Sequence, residues 1–551
     1  FHTLPLGSFS SSRLLWMISR FPRDIARRSG RLPLFCAQLY PLLAIVSLQV
    51  SQAFHVAGRP VPFKSLKFAA LSRLSRPPRT RPLAILAQFG GLVEGMDKFL
   101  RGGGESSSDD PNSPWKDQAP SWEDLQQKLA SLQTAEERSW PSVVASGRGP
   151  ANHQASVRLF EASDDTEPRV ILYRDKAAWC PYCEKVWLHL EEKRVPYRVE
   201  KVNMRCYGDK PDWFMRMQPS GGIPVAKIDG QVITESNDIM QTLEDVFPQN
   251  PMLPASSDPQ APRVGKLLRL ERQIFSSWFR WLVSPSRFGD SQQINFESLL
   301  SQVDEELKEA NDIAVANGHK EGRFFLGDRI SLVDFMFAPF LERMAASVPY
   351  YKGLVIRDPA RWPHVELWFK AMEERDSFKG IQSDYYTHCH DLPPQIGNCF
   401  SHPEAEKYRK EIDGELWRLP VRQGIEPLNA GADMARREAA ARVIENRDKL
   451  VPFCLRAVGA RGSPRVSAPL SDPNAKPDLR FTQQMDAALR HLVDAMLMEA
   501  ADFSRLSPGL PSSSIKKGLT YLRDRVSVPR DMSFAAAQQL RAHLNELANA
   551  L

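Results

Sequence analysis

The amino-acid sequence predicts an α/β domain, then an all-helical domain, and then a long, mostly helical C-terminal extension. Short apolar runs that alternate with helical patterns occupy residues 168–250, and beyond them the strand signals stop. A chain of 551 residues is also too long for one ordinary hydrophobic core, so several domains are expected.

Charge is distributed unevenly along the chain. The formal net charge is +6, but residues 1–93 hold 13 Lys and Arg against the single acidic residue Asp24, a net +12, so residues 94–551 carry −6. The basic character therefore belongs to the leader, and the rest of the chain offers no case for binding nucleic acid. Seven cysteines are too few for a disulfide scaffold of this length and suit a reducing compartment.

Residues 1–93 read as a bipartite targeting leader. A basic region, a short apolar run and small residues ending near Ala53 form a signal-peptide pattern, and residues 54–93 add seven Lys and Arg without an acidic residue, as transit peptides do. This order resembles the leaders that direct proteins into the complex plastids of algae, with plain secretion as the alternative. Gln38 and Pro41 interrupt the apolar run, so no stable membrane span is expected.

The α/β region comes after a linker at 94–120 and a stretch, 121–167, that opens with an amphipathic helix over 121–138, expected to pack on the domain after it. The predicted elements are a strand at 169–175, a helix at 180–193, a strand at 197–202, a short helix at 213–217, strands at 225–228 and 231–234 joined by Asp229-Gly230, and a helix at 236–247. This β-α-β-α-β-β-α order is that of a thioredoxin-like domain.

Two helical regions complete the chain. Residues 258–380 carry apolar stripes at helical spacing, with a capping-box pattern at Ser331-Leu-Val-Asp334. Residues 395–551 predict helices near 403–413, 431–456, 483–503, 515–524 and 533–549. The sequence leaves the role of this extension open.

The pair Cys180-Pro-Tyr-Cys183 carries the chemistry. A cysteine at a helix N-terminus meets unpaired backbone N–H groups and the positive end of the helix dipole, which favour its thiolate. Cys183 lies one turn further on, so Cys180 is the predicted nucleophile and Cys183 the resolving thiol. A zinc site and an inert core pair are the alternatives, but zinc needs two more ligands that no second motif supplies.

Further residues predict a peptide-binding site beside the thiol. Pro224 is a candidate cis-proline that would free the backbone of Ile223 to pair with a peptide-like substrate. Glu235 and Ser236 open a helix, where amides and a hydroxyl suit a carboxylate and the acid suits an amine. Tyr182 is expected to wall the thiol pocket, and Lys176 is a candidate partner for a glutathione carboxylate, with a solvated lysine as the alternative.

Together, these motifs over about 168–380 resemble the glutathione transferase family, and Cys180 places the chain with its cysteine-type members, most like the iota class of photosynthetic organisms. The resemblance implies glutathione as cosubstrate, an all-helical transferase C-terminal domain, and thioltransferase activity on a small disulfide, a glutathionylated protein or dehydroascorbate. It also implies the binding roles of Ile223, Pro224, Glu235 and Ser236, a buried structural role for Ser331 to Asp334, a hydrophobic ligand in the interdomain cleft as an option, and a homodimer as another.

Two other functions remain open. The same fold serves as a non-catalytic interaction module, although such a module needs no pair of thiols, and a conjugating transferase would carry Tyr or Ser at position 180. No metal is predicted: His388-Cys389-His390 with Cys399 reads first as loop residues. Cys206 and Cys454 read as buried apolar fillers.

Overall fold

The computed structural model describes residues 119–285, 289–422, 424–426, 431–463, 473–498, 503 and 513–551. The predicted leader and nearly all of the linker lie outside the described residues, so their roles stay predictions. Within the described part of the chain, no helix combines the length and the apolar character that crossing a bilayer requires.

Two helices precede the sheet. Helix α1 (Trp122–Leu132) ends at Gln133, and α2 (Ala135–Ala145) begins shortly after it. Thr134 caps α2 by accepting the N–H of Glu137, whose carboxylate accepts the N–H of Thr134 in return. The single predicted helix over 121–138 is therefore wrong, because this second capping box starts a new helix.

A five-stranded sheet forms the α/β domain. Its strands are β1 (Val157–Arg158), β2 (Val170–Asp175), β3 (Tyr197–Val202), β4 (Val225–Ile228) and β5 (Gln231–Ile233), in the spatial order β1-β3-β2-β4-β5. Strands β2 and β3 are parallel and are joined by α3 (Pro181–Lys193); β4 is antiparallel to β2 and to β5. Helices α4 (Asp212–Met217) and α5 (Ser236–Val246) complete the predicted thioredoxin-like order, which is confirmed; the edge strand β1 was not predicted.

The helical domain is built around one fully buried helix. Its helices are α6 (Ala261–Leu282), α7 (Gly289–Ala316), α8 (Leu332–Lys352), α9 (Pro363–Glu373), α10 (Asp376–Lys379) and α11 (Tyr385–Ile396). Every residue of α8 is buried, and its apolar side chains share one core with the sheet and with α3. The predicted capping box forms at its start, where the buried Asp334 accepts the N–H of Ser331 at 2.8 Å and the indole N–H of Trp368 at 2.9 Å.

The C-terminal extension has a hydrophobic core of its own. Its helices are α12 (Glu406–Lys410), α13 (Ala432–Cys454), α14 (Thr482–Met496), α15 (Ser513–Arg523) and α16 (Phe534–Ala550). Leu125 and Leu129 of α1 belong to this core. The expectation that the first helix packs on the domain after it is therefore wrong: its apolar stripe is buried by helices about 300 residues or more further along the chain, as the hydrogen bond from Trp122 to Asp486 shows.

A buried ion pair joins the extension to the helical domain. Asp384, which caps α11 by accepting the N–H of Thr387 at 3.0 Å, pairs with Arg541 of α16, and both side chains are 1% exposed. Beside this pair, the hydroxyl of Ser383 donates to the carbonyl of Val528. The extension is thus connected to the helical domain through buried polar contacts at the start of α11.

Replacing Arg541 with Met should lower the free energy of unfolding by roughly 3–5 kcal/mol, because Asp384 would be left as a buried carboxylate without its counter-charge. Urea unfolding followed by circular dichroism measures the loss. Arg480→Met removes an exposed arginine paired with Asp478 and serves as the matched control, with an expected change within about 0.5 kcal/mol. Equal effects of the two substitutions would contradict a stabilising role for the buried pair.

Candidate active site

The two cysteines of the CxxC motif lie at the start of α3. Cys180 is the N-cap residue, Pro181 is the first helical residue, and the N–H of Cys183 donates to the carbonyl of Cys180 at 3.1 Å. Cys180 is 8% exposed and Cys183 is 1% exposed. An incoming disulfide therefore reaches Cys180 first, and Cys183 lies behind it.

The carboxylate of Asp175, at the end of β2, shapes the turn that carries the first thiol. Its Oδ2 accepts the backbone N–H of Trp179 at 2.6 Å and that of Cys180 at 3.2 Å. Its Oδ1 is buried and has no hydrogen-bond partner among the described residues. Burial raises the pKa of the Cys183 thiol well above its ordinary value, and the neighbouring Cys180 and Asp175 contribute to the rise.

Asp175, Cys180 and Cys183 are also close enough to be considered as metal ligands. One oxygen and the two sulfur atoms all lie within 4.8 Å of one another, and no fourth His, Cys, Asp or Glu joins the group in the described part of the chain. A closed structural zinc site takes four protein ligands. Because Oδ2 of Asp175 already accepts two amides, the arrangement fits a pair of redox thiols better than a zinc site.

The predicted peptide-binding residues border the thiol. The Ile223–Pro224 bond is cis, as the sequence predicts, and the sulfur of Cys180 lies 3.8 Å from the carbonyl oxygen of Ile223. Glu235 is the exposed N-cap residue of α5 and Ser236 its buried first residue, and neither uses its side chain to cap the helix. The free N-terminal amides of α5 are thus available to a ligand.

The aromatic residues beside the thiol differ in position. Tyr182 is 39% exposed and meets the edge of Phe340 of α8 with ring centroids 5.8 Å apart, so it borders the cleft between the two domains. Trp179 is buried instead, with its ring against Arg343. Lys176 is exposed and makes no side-chain contact among the described residues, so the structure adds no support for its predicted role.

Two lysines that sequence reasoning missed lie near the thiols. Lys185 of α3 is 2% exposed; its ammonium donates to the side chain of Asn237, next to Ser236, at 2.6 Å, and no carboxylate in the described residues pairs with it. Burial lowers its pKa to about 8, opposed by the charges of Glu271 and Cys180. Burial likewise lowers the pKa of Lys210, opposed by Cys183 and Cys180. In the sequence nothing separates them from solvated lysines.

A buried carboxyl pair lies behind the active-site turn. Arg343 of α8 donates to Glu184 at 2.8 Å and to the carbonyl of Trp179, which precedes Cys180. Glu342 accepts the N–H of Ser383 at 2.7 Å. Burial raises the pKa of Glu184 to about 8, with the charge of Glu342 adding to the rise, and burial raises the pKa of Glu342 to about 7. One arginine thus faces two carboxyl groups that hold protons near neutral pH.

The run His388-Cys389-His390 lies on α11 and not in a loop, so that prediction is wrong; the Asp384 cap extends helical structure over these residues. They also diverge. His388 packs its ring against Trp179 with centroids 6.5 Å apart, while His390 pairs with Asp413 at 2.7 Å. Burial lowers the pKa of His388 to about 3, so its ring is neutral. Cys206 and Cys454 are buried, as predicted.

The carboxyl pair predicts a specific pH dependence of stability. A folded-state pKa above the unfolded value means that the folded protein binds more protons, so stability falls as pH rises from about 4.5 toward 7–8. Glu342→Gln removes one titrating group at nearly constant size. Relative to the wild type, its free energy of unfolding should rise by up to about 1.4 kcal/mol per pH unit between about pH 5 and 7.

Urea unfolding at pH 5.5 and pH 7.5 measures this difference. Glu415→Gln, which neutralises an exposed glutamate, is the control and should shift stability equally at both pH values. A pH-independent effect of Glu342→Gln would show that Glu342 is ionised throughout the range.

Comparison with known proteins relates this geometry to one family. The glutathione S-transferase N-terminal domain matches residues 179–246 and the C-terminal domain matches residues 270–371. Glutathione S-transferase DHAR3, chloroplastic, of Arabidopsis thaliana is 30% identical over 210 residues, 38% of this chain and 71% of the relative. The probable glutathione S-transferase DHAR2, chloroplastic, of Oryza sativa subsp. japonica is 29% identical over 237 residues, 42% of this chain and 77% of the relative.

A solved structure shows a similar match. The dehydroascorbate reductase of Chlamydomonas reinhardtii is 23% identical with a TM-score of 0.31, covering 40% of this chain and 94% of that one. The sequence relatives and the two matched domains extend over the α/β and helical domains, on which the resemblance to the family was based. The chain therefore belongs to the glutathione S-transferase family.

Proposed function

We propose that this protein is a glutathione-dependent thiol–disulfide oxidoreductase in which Cys180 is the nucleophile and Cys183 the resolving thiol. The observation that carries the proposal is the placement of Cys180 at the N-terminus of α3, 3.8 Å from the carbonyl of Ile223, with Cys183 buried one turn behind it. The helix N-terminus stabilises a thiolate, and the cis peptide presents backbone atoms to a peptide-like ligand beside the sulfur.

Glutathione would occupy the groove between the thiol and α5. Its cysteine backbone would pair with Ile223, next to Pro224. Its γ-glutamyl carboxylate would bind Ser236 and the free amides of α5, and its ammonium group would bind Glu235. The buried ammonium of Lys185, held by the neighbouring Asn237, adds positive charge behind this carboxylate site.

The reaction is a sequence of thiol–disulfide exchanges. The Cys180 thiolate attacks the glutathione sulfur of a mixed disulfide; the Cys180–glutathione bond forms and the substrate leaves as a thiolate that takes up a proton. A second glutathione then attacks that glutathione sulfur and leaves as glutathione disulfide, or Cys183 attacks Cys180 and releases glutathione. With dehydroascorbate, two glutathione molecules are oxidised to the disulfide and ascorbate forms. Attack by Cys183 requires loss of its proton, and the unpartnered Oδ1 of Asp175 is placed to accept it.

Relatives and residue chemistry favour this reaction over the alternatives. The relative from Chlamydomonas reinhardtii is a dehydroascorbate reductase by name. A conjugating transferase would present a hydroxyl at position 180, and an interaction module would not need two thiols at a helix start. A plastid location agrees with the chloroplastic relatives, while the algal import route, a hydrophobic ligand in the cleft, a homodimer and the likeness to the iota class stay predictions.

Cys180→Ser should lower turnover of hydroxyethyl disulfide or dehydroascorbate with glutathione by on the order of 10³-fold, because the hydroxyl cannot form the mixed disulfide. Cys183→Ser should retain steps that need one thiol and accumulate the glutathionylated enzyme, visible by intact-protein mass spectrometry after treatment with oxidised glutathione. Cys206→Ser, a buried cysteine outside the motif, is the matched control. Full activity of Cys180→Ser would refute the assignment of the nucleophile, and full loss in Cys183→Ser would refute its resolving role.

Ser236→Ala should raise the KM for glutathione roughly tenfold with a smaller change in kcat, because a hydrogen bond to a charged carboxylate is lost. Steady-state kinetics with varied glutathione measures the split. Asp238→Asn changes an exposed residue two positions along the same helix and should leave the KM within about twofold. A fall in kcat alone would place Ser236 outside the glutathione site.

A further inference from the structure

A second cavity lies away from the thiols. It has a volume of about 750 Å³ and opens between α11 of the helical domain and α13 and α15 of the extension. Tyr386, Phe453 and Tyr521 form aromatic walls, with Val443 and Leu450 beside them. The residues assigned above to the thiol and glutathione sites do not line it. This volume lies in the range of about 300–1,000 Å³ that small-molecule sites occupy.

The charges around this cavity do not balance. Three acidic residues line it, and each already has a partner: Asp391 accepts from Tyr207, Asp524 pairs with Arg523, and Asp531 pairs with Arg530. Five cationic residues line it, namely Arg442, Lys449, Arg456, Arg525 and Arg530. Arg442 pairs with Glu445. Lys449, Arg456 and Arg525 are therefore left without a carboxylate partner among the described residues.

Two of these three cations are half-buried. Arg525 stacks over the ring of Tyr521 at 3.5 Å, and its Nε is buried without a hydrogen-bond partner among the described residues. Arg456 lies over Phe453 at 5.4 Å. Withdrawing a cation from water without a counter-charge is costly. The site is thus electrostatically incomplete without an anion.

An adjoining cleft extends the same charge. It has a volume of about 810 Å³ and shares Arg456 and Arg525 with the cavity. Its further cationic residues are Arg461, Lys516 and Lys517, and its one acidic lining residue among those described is Asp524, which Arg523 already binds. A ligand with several negative charges could therefore extend from the cavity into the cleft.

We propose that this cavity binds a small molecule that carries several phosphate groups on an aromatic ring. Arginine binds phosphate through paired N–H groups, which Arg456 and Arg525 offer from separate segments of the same rim. The aromatic walls formed by Phe453 and Tyr521 suit a flat ring. The proposal gives the extension a ligand site of its own and goes beyond the proposed redox function, on which it does not depend.

Isothermal titration calorimetry of the full chain with three probes tests the proposal. Adenosine triphosphate supplies ring and phosphates, inorganic triphosphate supplies the charge alone, and adenosine supplies the ring alone. The nucleotide should bind most tightly, and raising the salt concentration should weaken it. No detectable binding of the nucleotide at millimolar concentration, or equal affinity for inorganic triphosphate, would overturn the proposal.

Substitutions locate the binding. The double variant Arg456→Gln/Arg525→Gln should weaken nucleotide binding at least about tenfold. Lys449→Gln, at an exposed position where folding should not suffer, should weaken it roughly threefold. The control Lys320→Gln, an exposed lysine of the helical domain, should have no effect.

Competition separates this site from the redox site. Cys180→Ser should bind the nucleotide as tightly as the wild type, and S-hexylglutathione should not displace it. Displacement by S-hexylglutathione, or unchanged binding in both the double variant and Lys449→Gln, would place the nucleotide elsewhere and overturn the assignment. Loss of disulfide-exchange activity in Cys180→Ser is a separate measurement, so failure of the redox function and failure of this site are distinguishable.

Discussion

The guanidinium of Arg343 ties the active-site helix to the helical domain. It donates to the carboxylate of Glu184 and to the carbonyl of Trp179, and it lies 4.9 Å from the centroid of the Trp179 ring. Trp179 precedes Cys180 and Glu184 comes one helical turn after it, so one cation holds both sides of the thiol. Arg343 is 1% exposed, and water cannot substitute for its partners. The position of the sulfur relative to the cleft therefore depends on this residue of α8.

The same polar network continues outward to the extension. Glu342, next to Arg343, accepts the N–H of Ser383 and lies 3.2 Å from His388, while the hydroxyl of Ser383 reaches the carbonyl of Val528. Each step is buried, so each group depends on a specific partner. The extension is therefore part of the structure that positions the active-site turn, even though it has a hydrophobic core of its own.

Sequence patterns predicted those parts of the fold that depend on neighbouring residues. The strands and helices around the CxxC pair, the Asp229-Gly230 hairpin and the capping box at Ser331 each have a signal within a few residues. What could not be predicted joins distant segments: α1 packs on the extension through Trp122 and Asp486, and Arg343 meets Glu184 across 159 residues. Charged residues at these positions look like solvated ones until the fold buries them.

The same distinction applies to the candidate site. The roles expected of Cys180, Cys183 and Ile223 came from local motifs, and the structure brings these residues together. Lys185 and Lys210 had no signal, because a lysine approaches a thiol only through the tertiary fold. Lys176, expected from its distance to Cys180 along the chain, is instead exposed, which shows that separation along the chain is a poor guide in a loop.

The ion pair between Asp384 and Arg541 has an evolutionary consequence. The two residues are 157 positions apart and are both buried. A change at either position strands the other charge, whereas replacing both with apolar side chains of similar volume removes the problem. These two positions should therefore change together among homologues that possess the extension, and homologues that lack it should carry an uncharged residue at the start of the helix that Asp384 caps here.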